Sequence, residues 1–152
     1  MRTFYGMEGP PLPETFRQRE VAGLDCYLTN GTFRSASSFW VKEEILKLYE
    51  REGTVRLDKP GCQMIKCELI WGRIKVCWEP KEGAPEVYEV PWTYVADYAA
   101  GIVEEWCGLI PMPQSPGYRV HGKAWDPKGL AAQIVGAGGK SCEEEPMDGS
   151  KV

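Results

Sequence analysis

The chain contains one histidine, His121, so a Ser-His-Asp or Cys-His nucleophile system has only that imidazole to use as its base. Its setting, Val120-His121-Gly122-Lys123, reads as a strand running into a turn, which predicts a surface or half-buried imidazole without a catalytic role. Glycoside hydrolysis needs two carboxyl groups facing each other across a cleft. Glu43 with Glu44 and Glu104 with Glu105 are helix neighbours and read as solvated faces, and the spacing of Asp97 and Asp126 leaves their relative position open. The run Gly136-Ala137-Gly138-Gly139-Lys140 lacks the downstream helix of a phosphate-binding loop. No Cys-x-x-Cys pair and no second histidine offers a zinc site. These residue types assign no catalytic, cofactor or metal-binding residue.

The cysteines carry more information. Cys26, Cys62, Cys67, Cys77, Cys107 and Cys142 make an even set of 6, which suits a disulfide framework in an oxidising compartment. The alternative is a set of buried free thiols in a cytosolic protein. Six cysteines allow 15 pairings. Cys67 and Cys77 fall on adjacent strands and Cys107 ends a helix, so a bridge from Cys107 to a strand is the expected one. Asn30, in Asn30-Gly31-Thr32, is an N-glycosylation acceptor if the chain enters the secretory route, and reads equally as a turn. Of the 6 tryptophans, most are expected to fill the core. Trp92 and Trp125 lie near element ends and are the candidates for exposed aromatics that bind a sugar or a membrane interface.

The elements that must position these residues belong to one domain, since 152 residues suffice for a single core. The net charge of −4, without a basic stripe, sets nucleic acid aside as a partner. No apolar run approaches the roughly 20 residues that span a bilayer, and no signal peptide is visible in Met1 to Phe16. Residues 1–19, rich in proline, read as a flexible leader, 20–135 as a single α/β domain, and 136–152 as a disordered acidic tail that Cys142 could tie down. Alternation over 21–28 predicts a first strand. Ser35 to Ser38 supply N-caps for a helix to about residue 52, whose apolar stripe is Val41, Ile45, Leu48 and Tyr49. Two alternating runs around Gly72 predict a hairpin. A second helix from about 91 to 107 has the stripe Val95, Ala99, Ile102 and Trp106. Gly101 inside it costs about 1 kcal/mol against alanine, which implies a close neighbour there. Tyr118–Val120 and Leu130–Val135 read as strands around the Asp126-Pro127-Lys128-Gly129 turn. The expected fold is α+β, two helices on one face of a mainly antiparallel sheet in a split βαβ, ferredoxin-like sandwich.

From Cys62 onward the pattern resembles a family of small, cysteine-rich secreted fungal proteins that includes effector and killer-toxin-like members. The resemblance rests on Cys62, Cys67 and Cys77, on Val95-Ala96-Asp97-Tyr98-Ala99 with Ile102 and Cys107, and on Val120, Gly122, Trp125, Asp126, Ile134 and Val135 before Cys142. Together with the cysteine framework and the lack of a catalytic constellation, it points to an extracellular, non-enzymatic protein, expected as a monomer, that binds an unidentified extracellular protein or cell-wall component. A carbohydrate- or small-ligand-binding module using exposed tryptophan is the alternative, and a small hydrolase a second one.

Overall fold

A computed structural model describes residues 9–26, 35–111, 117–136 and 142. In chain order, β1 (Gly23–Asp25) and β2 (Ala36–Ser37) precede helix α1 (Ser38–Glu50). Strands β3 (Thr54–Leu57), β4 (Gly61–Glu68), β5 (Gly72–Trp78) and β6 (Tyr88–Pro91) lead into α2 (Trp92–Gly101). Strands β7 (Ile110–Pro111), β8 (Tyr118–Val120), β9 (Gly122–Trp125) and β10 (Leu130–Val135) close the fold. The main sheet has the order β1-β9-β10-β5-β4, with a smaller β2-β8-β7 sheet and a β3-β6 ribbon. All of these pairs are antiparallel.

The α+β class, the two helices and the mainly antiparallel sheet follow the sequence reading. The ferredoxin-like order is not confirmed. It would seat β1 beside β5 in parallel, whereas β5 takes β10 on that side, antiparallel, and β1 lies at the edge against β9. The Asp126 turn joins β9 to β10, so Gly122–Trp125 is the strand that the sequence reading missed. Tyr118–Val120 instead pairs in the smaller sheet with β2 and β7.

Alternation along the strands sorts the main sheet into two faces. Ile74, Val76, Trp78, Leu130, Ala132, Ile134 and Ala124 join Val41, Ile45 and Leu48 of α1 and Val95, Ala99 and Ile102 of α2 in the large core. On the other face, Cys62, Cys77 and Ala131 form a smaller cluster against Trp125. Beside it runs a cross-strand row, Asp25-Lys123-Gln133-Lys75-Met64, in which Lys75, Lys123 and Gln133 are buried.

A β-bulge between Met64 and Lys66 shifts the β4 register. Cys62 and Cys67 are five positions apart and would face opposite ways along a regular strand. The extra residue puts both on the second face, opposite Cys77 and Arg73 respectively.

Residues 9–19, read as a loose leader from their prolines, dock onto the domain. Phe16 is buried in the core and stacks edge-on with Trp106, and the turn Thr15–Gln18 brings Thr15 to Asp97. After Gly101, α2 widens into a π-helical turn, Ile102–Trp106. A side chain at Gly101 would meet the Trp106 ring, which is the close neighbour that glycine implied. The Asn30 sequon and, apart from Gly136 and Cys142, the tail lie outside the described residues.

Candidate functional site

All six cysteines are paired, as Cys26–Cys107, Cys62–Cys77 and Cys67–Cys142. Cys107, at the end of the π-helical turn, reaches Cys26 just beyond β1 rather than Cys67 or Cys77 on the hairpin. Cys62–Cys77 crosses adjacent strands in register. Cys67–Cys142 fixes the chain after β10 to the outer half of the β4–β5 hairpin. In the chain-entropy account, bridges spanning 81 and 75 residues stabilise by about 4–5 kcal/mol each and one spanning 15 by about 3 kcal/mol.

His121 sits between β8 and β9, half-buried, with Nδ1 2.8 Å from Ser35 Oγ. Burial, reinforced by the Arg119 charge, lowers its pKa below the usual histidine value, against opposing contributions from Asp25 and a hydrogen bond to the Cys26 backbone. Ser35 and His121 thus form a hydroxyl-imidazole pair, which the sequence reading passed over by treating Ser35 only as a cap. Among the described residues no carboxylate is hydrogen-bonded to His121. Asp126 lies beyond the far end of β9, about 16 Å away at strand rise, so His121 and Asp126 are not brought together.

The two aspartates are structural hubs at separate places. Asp97, nearly inaccessible on α2, accepts from Thr15 Oγ1 (2.6 Å), Arg19 Nε (2.8 Å) and Tyr49 OH, joining the N-terminal segment and both helices. Asp126 Oδ1 accepts from the amides of Lys128, Gly129 and Leu130, and Oδ2 from Tyr88 and Tyr94. The turn needs Gly129 at φ +110°, where any side chain would strike the Glu79 carbonyl. Both carboxylates thus hold the fold together, and removing either would orphan several donors at about 1–3 kcal/mol each. Burial, with the aspartate contacts adding to it, raises the phenol pKa values of Tyr49 and Tyr88. Burial likewise raises Tyr94 and Tyr98.

The structure corrects the choice of tryptophans. Trp92 is only 9% exposed, with the Arg51 guanidinium stacked on it at 3.9 Å. Trp125 is half-buried against the Cys62–Cys77 cluster, and its Nε1 donates to Glu79 Oε1 at 2.9 Å. Burial would raise the Glu79 carboxyl, but hydrogen bonds from Lys123 and Trp125 hold it below the usual carboxylate range. Trp92 is thus covered, whereas Trp125 keeps part of its surface open.

The exposed tryptophan is Trp71, in the turn between β4 and β5. There Leu69, Ile70 and Trp71 are 46%, 82% and 48% exposed. Three apolar residues in succession before the turn glycine break the period of two, and that break is the signal which could have found them. A groove between α1 and the β4–β5 hairpin is lined by Leu48, Ile65 and Ile74 under a rim of Glu44, Lys47, Arg51 and Lys66, without a tryptophan. Among the described residues, no cluster of three or more His, Cys, Asp or Glu could hold a metal ion. No described helix is long and apolar enough to cross a membrane.

Comparison with known proteins finds no matching family model, curated protein or solved structure.

Proposed function

We propose that the protein is a secreted, disulfide-braced protein of effector or toxin-like kind. It acts as a monomer, by binding an extracellular protein or a cell-wall component rather than by catalysis. The observation that carries this reading is the pairing of all six cysteines in three bridges spread over the fold, the state that an oxidising compartment maintains. The resemblance of the cysteine spacing to secreted fungal proteins supports the same compartment. The binding half of the reading is supported by the Leu69-Ile70-Trp71 tip, an apolar group held outside the core at the end of a hairpin whose outer half carries the Cys67–Cys142 bridge. The test is an intact-mass and free-thiol assay on protein recovered from a secretory host. Absence of free thiols, with added glycan mass at Asn30, is the expected result. Reactive thiols in well-folded protein would overturn it.

The exposure of Trp71 also favours a second reading, a carbohydrate-binding module. A fluorescence titration with soluble wall fragments, compared between the native protein and Trp71→Phe, separates the two. A saturable change confined to the native protein supports the carbohydrate reading.

A further inference from the structure

The hairpin tip is joined sideways to the small sheet, because the Ser37 amide donates to the Trp71 carbonyl at 2.8 Å. Antiparallel partners share a face, so Ser37, Arg119 and Ile110 form one row across β2, β8 and β7. At strand spacing, the Arg119 backbone lies about 10 Å from Trp71 and that of Ile110 about 15 Å. Both ends of this edge are apolar and exposed, with Leu69, Ile70 and Trp71 at one end and Ile110, 44% exposed, at the other. Phe39, in the first turn of α1, is 37% exposed.

Between the apolar ends sits Arg119. Its Nε is buried without a hydrogen-bond partner, and no described carboxylate pairs with its guanidinium, although the chain carries 22 acidic residues against 18 basic ones. A buried donor without an acceptor is costly, and a planar guanidinium fork matches the paired oxygens of a phosphate.

We propose that this edge binds a phospholipid surface, with the Leu69-Ile70-Trp71 tip entering the interface and Arg119 taking a lipid phosphate. The inference rests on the reading above that the protein acts by binding. A lipid surface fits better than a protein groove because Leu69, Ile70 and Trp71 are all exposed in succession at the end of the hairpin. A flat partner covers one side, whereas an interface surrounds the tip. Tryptophan, with an apolar body and one N–H, is suited to that depth, and Arg119 beside it meets the headgroup layer.

The experiment is co-sedimentation of the intact, disulfide-bonded protein with vesicles of phosphatidylcholine, alone and mixed with phosphatidylglycerol. The native protein is expected to sediment with both. Ile70→Glu, at a position 82% exposed, should weaken vesicle binding by about tenfold or more, and Arg119→Gln by about threefold to tenfold. Leu69→Glu provides the same comparison should Ile70→Glu fail to fold, with thiol count and circular dichroism as the check. His121 is the sole histidine, so its ring protons give one isolated NMR signal, which inorganic phosphate is expected to shift in the native protein and not in Arg119→Gln.

Failure of the native protein to sediment, or sedimentation unchanged in Ile70→Glu, would overturn the proposal. A His121 shift with inorganic phosphate but no vesicle binding would also overturn it, leaving a free-anion site. These outcomes are independent of the thiol assay. Absent vesicle binding in fully oxidised, secreted protein removes the lipid partner alone, whereas free thiols remove the secreted reading whatever the vesicles show.

Discussion

Single residues here are spent mostly on holding the fold, and the tyrosines register it. Tyr49 and Tyr88 donate to buried aspartates, Tyr98 donates to the Glu20 carbonyl, and Tyr94 bonds Asp126. Burial raises all four phenol pKa values above the ordinary value of 10.0. A group whose folded pKa is raised adds stability that is complete below its unfolded pKa and is lost as pH climbs through the folded one. Stability should therefore fall as the pH rises above about 10. Absorbance at 295 nm, followed against pH, should show four of the 7 tyrosines ionising only together with the loss of near-ultraviolet dichroism. Early, reversible titration of all seven would contradict the buried hydrogen-bonding described.

At the scale of elements, Gly101 gives the sharpest test. Propensity alone makes alanine better than glycine inside a helix by about 1 kcal/mol. The Trp106 ring occupies the space a Cβ would need, and Trp106 also packs near Phe16 and Tyr98. Gly101→Ala is therefore expected to destabilise by about 1–3 kcal/mol in chemical denaturation, and a gain in stability would mean that the ring is placed elsewhere.

Helix α1 and the β4–β5 hairpin were legible because they are long, 13 residues for the helix and 8 and 7 for the strands, so their apolar periods stand out even across the bulge in β4. The β3–β6 ribbon was not. Each strand has four residues, too few for a period to stand out, and β6 ends in Pro91, a residue that argues against strand. Strand β9 was hidden for a similar reason, since Gly122 opens it and Lys123 is buried against Glu79. The site was less legible than the fold. The pairing of Ser35 with His121, and of Trp71 with the β2 edge, joins segments 86 and 34 positions apart, and nothing local announces such contacts.

For the whole molecule, the three bridges divide the work. Cys26–Cys107 ties the edge strand to the end of the helical layer, Cys62–Cys77 closes the second face of the sheet, and Cys67–Cys142 holds the chain end against the hairpin that bears the exposed tip. The β4–β5 register places Cys62 directly opposite Cys77, and the bulge in β4 puts Cys67 on that same face. The most direct test is a non-reducing peptide map of the secreted protein by mass spectrometry. The expected links are Cys26 to Cys107, Cys62 to Cys77 and Cys67 to Cys142, with no free thiol. A map that pairs Cys62 with Cys67, or leaves Cys77 reduced, would contradict both the register of the hairpin and the disulfide-braced protein proposed from it.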